Sequence, residues 1–528
     1  MLTLIEKLHR ARLLTIPGVL RLLEAVMTTG VNLMAMLRVA AKLHPRRTAV
    51  IDGRDRLSYT ELWQHAESLA VALHVEHGVR GRQKVAIACR NHATAIKSVF
   101  AFSRLGAHVF LVNPEMSGDQ ILALEERLRF DFYVYDEHLA HLFNNSSLSR
   151  KALPSYHPTG NSIDRMSLRS KRTKVRLKKV KTGNIVVMTG GTTGQPKAAS
   201  RKPSILNFLP PFVALLTQVH LDKYRSVYVP TPIYHGFGLA SLFIGVMLGA
   251  EMHFTKRFDA ERSCSLIAEN QIEVVTLVPL MLQRMLQLER GSLSSLRCII
   301  TGGALLSPTL AGETLERLGP ILFNLYGTSE AGFCIMGTPQ VLRRKPASIG
   351  KPVQGVRAKI VNESDQVVGE GMIGRLCIRS AWTASRKSWI ETGDLAYRDA
   401  EADIFLCGRV DDMIVSGGEN VYPIELENVL LQHPGVDSAA VVGIPDSEFG
   451  QRLKAVVVPK KSTALDQPTL LAWLKPRVAR YQMPALIEFR DELPSTSLGK
   501  LDKKALRDLG PTKGQEDDAP DHNDQPKK

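Results

Sequence analysis

At 528 residues the chain is too long for a single hydrophobic core, so at least two domains are expected. Its 44% hydrophobic and 23% charged residues are an ordinary globular composition, and its six cysteines (89, 264, 298, 334, 377 and 407), scattered without pairs or metal-type spacing, exclude a disulfide framework and a zinc site and fit a reducing cytoplasm. The formal charge of +16 is local rather than general: nine positive charges and no acid fall in one run, Arg165 to Lys181, and the remainder carries +7.

The first 42 residues alternate apolar clusters with Lys7, Arg10, Arg12 and Arg21. Their longest uncharged run, Ala25 to Leu37, is shorter than the ~18 residues that cross a bilayer, and no small-residue cleavage site marks a signal peptide. Leu4, Ile5 and Leu8, then Leu20, Leu23, Val26 and Met27, recur at helical spacing, which predicts amphipathic helices that dock on the body of the protein or lie on a membrane surface.

From residue 43 the pattern is regular. "KVAIAC" (84–89) predicts a buried strand, His92 to Leu105 a helix, "HVFLVN" (108–113) a strand, the segment after Ser117 a helix, and "DFYVYD" (131–136) a strand. The basic run 165–181 follows. It is a solvated loop or a surface for nucleic acid, an anionic membrane or a polyanionic cosubstrate. Nucleic acid is the poorest fit, because no aromatic residue in the run can stack on a base.

Strands then recur at "NIVVM" (184–188), "SVYVP" (226–230), "EMHFT" (251–255), "VVTLVP" (274–279), "RCIITG" (297–302) and "ILFNLYG" (321–327), with helical stretches between them. Such alternation implies parallel sheets with helices on both faces. Short Val/Ile segments with Gly and Asp turns from 346 to 379 predict a small β subdomain, and beyond "CGRVDD" (407–412) mixed strands and helices predict an α+β module. The tail from Pro511 lacks apolar clusters and is expected to be disordered.

Five clusters carry chemistry. "MTGGTTGQPKAAS" (188–200) concentrates glycines, threonines and Lys197, which suits an anion approached by backbone N–H groups, hydroxyls and an ammonium; it is equally a Gly-rich turn. "LYGTSEAG" (325–332) ends a strand on an aromatic ring that can stack on a base and a carboxylate, Glu330, that can hold Mg2+. "ETGDLAYRD" (391–399) sets Asp394 after a tight turn, where it can accept two hydroxyls. "GRVDDMIVSGGENVYPIELE" (408–427) joins Arg409, Asp411 and a Gly-Gly turn, and "LPSTSLGKLDKKALR" (493–507) presents Lys500 after a glycine.

In this order the clusters resemble the motifs of the adenylate-forming superfamily of acyl-CoA synthetases, luciferases and adenylation domains. "TGGTTGQPKA" is similar to its phosphate loop, "TGGALLSP" (301–308) to its adenine-side loop, "YGTSE" to its Tyr-Gly-x-Thr-Glu, "TGD" (392–394) to its ribose carboxylate, 408–427 to its hinge motif and "PSTSLGK" to the motif of its catalytic lysine. "RRTAVIDGRDRLSYTELW" (46–63) resembles its usual start. Three positions depart: Gly190 and Ser329 replace hydroxyl residues (Ser329 keeping a hydroxyl), and Ala198 replaces a glycine.

The resemblance implies an α/β fold: a large N-terminal domain of two doubly wound α/β subdomains plus a small β subdomain, then a small mobile α+β C-terminal domain. It divides the chain into a helical extension 1–42, an AMP-binding domain 43–408, a hinge 409–411, a lid domain 412–510 and a tail 511–528. It implies ATP, Mg2+ and CoA as cosubstrates, with no tightly bound cofactor. Thr189, Gly190, Gly191, Thr192, Thr193, Gly194 and Lys197 would hold the phosphates. Gly303, Ala304, Tyr326, Gly327, Ser329, Asp394 and Arg409 would hold adenine and ribose, and Glu330 the metal. Lys500 would bridge the attacking carboxylate and the α-phosphate.

Asp411 would be the pivot of a swing that brings Gly417, Gly418 and Glu419 to the CoA tunnel. "PIYHGFGL" (232–239) resembles the acyl-pocket gate, with His235 where amino-acid-activating members carry an aspartate, and the apolar 239–248 suits an apolar acyl pocket or a core helix. Arg257 would meet a CoA phosphate. The implied activity is adenylation of a carboxylic acid, a fatty acid above all, and transfer of the acyl group to CoA. A stand-alone ligase loading a carrier protein is the alternative, and a non-catalytic sensor or membrane adaptor the distant one. The implied location is cytoplasmic, or peripheral at the inner membrane surface.

Overall fold

The structure, a computed structural model, describes residues 15–143, 151–168, 175–181, 183–190, 196–201, 212–288, 292–328, 331–380, 388–416, 419–446, 449–460, 463, 465–495 and 501–508. Two compact units divide the chain. One takes residues 1–306, 310–359 and 377–392; the other takes 307–309, 360–376 and everything from Gly393.

The first unit contains two sheets. One has six strands in the spatial order Ala152–Pro154, Phe132–Tyr135, Lys84–Ala88, His108–Leu111, Ile185–Gly190, Pro196–Arg201. Its neighbours are parallel except the last pair, which is antiparallel. The other sheet runs Ser348–Pro352, Gly332–Gly337, Leu322–Thr328, Cys298–Gly302, Val274–Leu277, Ser226–Val229, Glu251–Phe254, Thr48–Ile51, Arg56–Ser58. From Leu322–Thr328 to Thr48–Ile51 every neighbouring pair is parallel, and the strands that flank this run pair antiparallel. The mixed α/β class and every strand expected between residues 84 and 328 are present. The strands after the edge hairpin Thr48–Ser58 read as continuous apolar runs, as sheets covered on both faces require.

One core cluster draws on both sheets, from Val85 and Val109 in the first to Val227, Val229 and Met252 in the second. Every residue of the helix Ala93–Leu105 is buried in it, including Lys97, whose ammonium meets Asp164 at 2.7 Å. Each fully buried Phe or Leu there contributes about 1.5–3 kcal/mol. His92 caps that helix by accepting the Ala95 N–H at Nδ1 (3.1 Å), so its Nε2 donates to Asp136 at 2.8 Å. Asp136 also accepts from Ser155 Oγ (2.7 Å) and the Arg90 N–H (2.9 Å). Burial alone would raise this carboxyl, but those donors and the nearby imidazole hold it well below the usual range.

The helix expected on Leu4, Ile5 and Leu8 lies outside the described residues, and the two helices described before residue 44 behave differently. Leu33–Leu43, capped by Asn32, buries Leu33, Met34, Leu37, Val39 and Ala40. Ile16–Thr29 buries only Gly18, Ala25 and Thr29. Among the described residues no helix is long and apolar enough to cross a membrane.

The second unit holds an antiparallel pair, Val436–Asp446 with Gly450–Pro459, a parallel neighbour Leu486–Phe489, and the hairpin Ile414–Ser416 with Glu419–Val421. The helices Pro423–Leu430, Gln467–Leu474 and Lys503–Asp508 accompany them. Leu426, Leu430, Val441, Leu453, Val457, Leu470, Leu474 and Ile487 form its core. This is the α+β module expected after residue 412. The expected tail from Pro511 lies outside the described residues.

Candidate active site

In open parallel sheets, ligand-binding residues gather past the carboxyl ends of the strands. In the first unit four such ends carry the expected groups. Gly302 pairs with Leu325 across neighbouring parallel strands, so Gly303 and Ala304 leave one strand beside the point where Tyr326 and Gly327 continue the next. Gly303 turns at φ +80°, a conformation that favours glycine. Gly327 pairs with Phe333 on the antiparallel neighbour, and a Cβ at Gly327 would lie 2.2 Å from the Gly332 carbonyl oxygen.

A third strand end, Val229, leads into the gate segment. His235 is its last residue before the helix Gly236–Leu248 and is half-buried, its ring packed on Tyr234 at 4.5 Å between centroids. Sequence reasoning passed over the residue that shapes this segment. Asn91, buried after the strand Lys84–Ala88, donates to the carbonyls of Thr231 (2.9 Å) and Val229 (3.3 Å) and accepts the Ile233 N–H (2.8 Å). A lone asparagine after a strand end carries no signal that it will bind a segment 140 positions away. The helix that follows buries Leu239, Leu242, Phe243 and Val246, so one of its faces is core.

The phosphate-loop segment forms a hairpin. Ile185–Gly190 pairs antiparallel with Pro196–Arg201, in a register that sets Thr189 opposite Lys197 and Gly190 opposite Pro196. The chain therefore returns along its own strand. Gly191, Thr192, Thr193 and Gly194 lie outside the described residues, as do Ser329, Glu330, Gly417, Gly418 and Lys500. Arg257 is exposed and pairs with Glu115 at 2.8 Å, which also holds Arg90 at 2.6 Å. Burial works to raise the Glu115 carboxyl, and the two guanidinium groups outweigh it and lower it.

In the second unit Asp394 and Arg409 are register partners in the hairpin Ile390–Arg398 with Ile404–Arg409. Arg409 Nη1 reaches Asp394 Oδ1 at 3.2 Å, and its Nε reaches Asp411 Oδ1 at 2.8 Å. Burial works to lower the guanidinium pKa, but the bond it donates to Asp411 and the surrounding carboxylates raise it. Gly393 makes the arrangement possible. It sits at φ +79°, and a Cβ there would lie 2.7 Å from Arg409 Nη2. Gly393→Ala is expected to displace Arg409 and raise the KM for ATP about tenfold, since a lost charge-assisted contact costs about 1.5–3 kcal/mol; acid-dependent pyrophosphate exchange at varied ATP measures it.

Two further groups were not legible in the sequence. Asp412 pairs forward with Lys503 (3.3 Å) and Arg507 (3.5 Å) on the last described helix. Lys503 also approaches Glu427 at 3.8 Å; burial raises the Glu427 carboxyl and Lys503 counters part of that. Ser495 bridges Leu501, and the Asp502 N–H donates to the Pro494 carbonyl (2.9 Å). Ser416 and Glu419 are register partners in the hairpin of Ile414–Ser416 with Glu419–Val421.

Comparison with known proteins agrees with these motifs. The family model for AMP-binding enzymes matches residues 37–386, and that for the AMP-binding enzyme C-terminal domain matches 425–500. The chain is 30% identical over 502 residues to an indoleacetate–CoA ligase of Aromatoleum aromaticum, covering 89% of this chain and 96% of that one. It is 32% identical over 349 residues to the medium/long-chain-fatty-acid–CoA ligase FadD8 of Mycobacterium tuberculosis, covering 60% of each. Its fold matches that of the o-succinylbenzoate CoA synthetase MenE of Bacillus subtilis, solved with an acyl-adenylate intermediate, at a TM-score of 0.79 and 25% identity, covering 90% and 98% of the two chains.

The chain belongs to the AMP-binding enzyme family, the adenylate-forming superfamily. It is an AMP-forming ligase of the acid–thiol class, and the enzymes of this family use ATP, Mg2+ and CoA as cosubstrates.

Proposed function

We propose that this enzyme activates an apolar monocarboxylic acid, a fatty acid above all, as the acyl-adenylate and passes the acyl group to CoA. The observation that carries the reading is the gate segment: His235 stands where a carboxylate would pair with a substrate amine, and Gly236–Leu248 contains no charged side chain. A charged substrate group would lose hydration there without gaining a counter-ion. The similarity to FadD8 supports a fatty acid, and that to the indoleacetate–CoA ligase extends the class to aryl acids.

The roles follow the chemistry. A carboxylate is a poor electrophile because its leaving group would be oxide; AMP supplies a better one. Joining carboxylate and α-phosphate brings two anions together, and cations must offset their repulsion. In this reading Lys197 and the residues Gly191 to Gly194 steady the departing pyrophosphate, Glu330 would hold the Mg2+ of MgATP, and Tyr326 with Gly303 and Ala304 flanks adenine. Asp394 and Arg409 fix the ribose, and Lys500 acts at the reacting centre.

An acid panel from acetate to stearate, with branched, aryl and amino acids, scored by CoA-dependent AMP release, tests the proposal. Apolar acids are expected to exceed α-amino acids in kcat/KM by at least about a hundredfold, the scale set by burying an unpaired ammonium. Turnover confined to amino acids would overturn the substrate class. A carrier protein as the only effective acceptor would overturn CoA.

A further inference from the structure

The helix Ile16–Thr29 is turned the wrong way round for a helix that is only part of a soluble body. Its small residues Gly18, Ala25 and Thr29 form the stripe against the protein. On the opposite stripe, at helical spacing, stand Ile16, Leu20, Leu23 and Met27, with 80%, 59%, 55% and 73% of their surfaces exposed. Val19 and Leu22, also exposed, widen the apolar sector on one flank. The single acid of the helix, Glu24, is bridged by two arginines, Arg21 and Arg38, each at 3.0 Å, so no free negative charge borders the stripe from this helix.

Beside it runs the end of the basic run. The Val180 N–H donates to the Thr29 carbonyl (3.3 Å), and Asn32 Nδ2 donates to the Val180 carbonyl (3.3 Å). Gly30, at φ +90°, lets the strip approach: a Cβ there would lie 2.1 Å from the Val180 oxygen. Arg104, itself buried and paired with Glu67, donates to the carbonyls of Lys178 (2.9 Å) and Leu177 (3.0 Å). The backbone of 177–180 is thus fastened by buried groups, while Arg176, Lys178, Lys179 and Lys181 are exposed.

An exposed apolar stripe beside a fastened cationic strip matches the two layers of an anionic bilayer surface, acyl boundary and charged headgroups. A protein partner would need an apolar patch rimmed by acids. The chain's own preceding residues, Met1 to Leu14, add Lys7, Arg10 and Arg12 against one acid and supply no such rim. We propose that this face docks on an anionic lipid bilayer, the helix Ile16–Thr29 lying in the interface and the strip 176–181 on the headgroups.

Co-sedimentation of the full chain at low salt tests it, with vesicles of phosphatidylcholine alone or with about a third phosphatidylserine. The protein is expected to bind the anionic vesicles and not the neutral ones. Leu20→Gln, Leu23→Gln and Met27→Gln combined, and separately Lys178→Gln, Lys179→Gln and Lys181→Gln combined, are each expected to weaken binding about tenfold or more with unchanged thermal unfolding, since all six side chains are exposed. Absence of binding, equal binding to neutral vesicles, or full binding by both variants would overturn the proposal. So would light scattering that shows a dimer abolished by the leucine variant, which would make the face a contact between copies, or vesicle binding that appears only after removal of residues 1–14, which would make it a seat for that segment.

Discussion

Lys500→Ala is expected to reduce carboxylate-dependent pyrophosphate exchange about a thousandfold, while thioester formation from supplied acyl-adenylate stays within about threefold. The asymmetry follows from where charge develops. In the first half-reaction a carboxylate attacks a polyphosphate, and a cation placed between them stabilises the transition state more than either separate anion. In the second, a thiol attacks a neutral acyl carbon of an anhydride already made, and the same cation has little to offset. Placement matters as much as charge. The ends of the segment are pinned by the Ser495 to Leu501 bridge and the Asp502 to Pro494 hydrogen bond, and Lys503 three positions on is held by Asp412. Lys500→Arg, which keeps charge but moves it along a longer and broader head, is expected to recover a minor part of the loss. Equal loss in both half-reactions would assign Lys500 to general folding or binding and overturn its role.

The parallel strands were legible because each is a short apolar run bounded by turn residues, from "KVAIAC" to "ILFNLYG", and a strand buried on both faces needs no subtler signal. The phosphate-loop segment shows where that reading stops. Its composition pointed to an anion-binding turn, yet nothing local told whether Pro196 to Arg201 would leave as a helix or return as a strand; pairing with Ile185–Gly190 decides it, and pairing is a tertiary event. The motif residues Tyr326, Asp394 and Arg409 were readable through resemblance, and their packing was not. That Gly393 is needed for Arg409 to reach Asp394 depends on a φ and a 2.7 Å clearance. Asn91 carries no periodicity and no motif, because its work is done across the fold. The spacing of Leu20, Leu23, Val26 and Met27 was legible as a helix, but not which way it would face: the glycine, alanine and threonine stripe of Ile16–Thr29 packs inward, whereas Leu33–Leu43, for which no spacing was read, puts its large residues into the core.

Asp411→Pro is expected to slow thioester formation from acyl-adenylate about a hundredfold and to leave pyrophosphate exchange within about threefold. The resemblance places the pivot of the two-step cycle at this residue, and the ionic contacts around it divide there. Arg409 is bound to Asp394 and reaches two positions past itself to Asp411, while Asp412 is bound forward to Lys503 and Arg507. Asp394 and Arg409 lie before the φ bond of Asp411, and Asp412 with its partners lies after it, so a rotation about that bond parts Arg409 from Asp411 and keeps the Arg409–Asp394, Asp412–Lys503 and Asp412–Arg507 pairs.

The Arg409–Asp411 pair is partly exposed, and an exposed ion pair contributes only about 0–1 kcal/mol, little enough for a swing to break. Proline at 411 fixes φ and restricts Val410 before it, removing the rotation, and it also removes the carboxylate that pairs with Arg409. Asp411→Asn separates the two explanations: it weakens the pair and leaves the backbone free, so it is expected to keep thioester formation within about threefold. Loss of thioester formation in Asp411→Asn as large as in Asp411→Pro would transfer the effect from backbone rotation to the carboxylate. An unchanged second half-reaction in Asp411→Pro would remove the pivot from this position altogether.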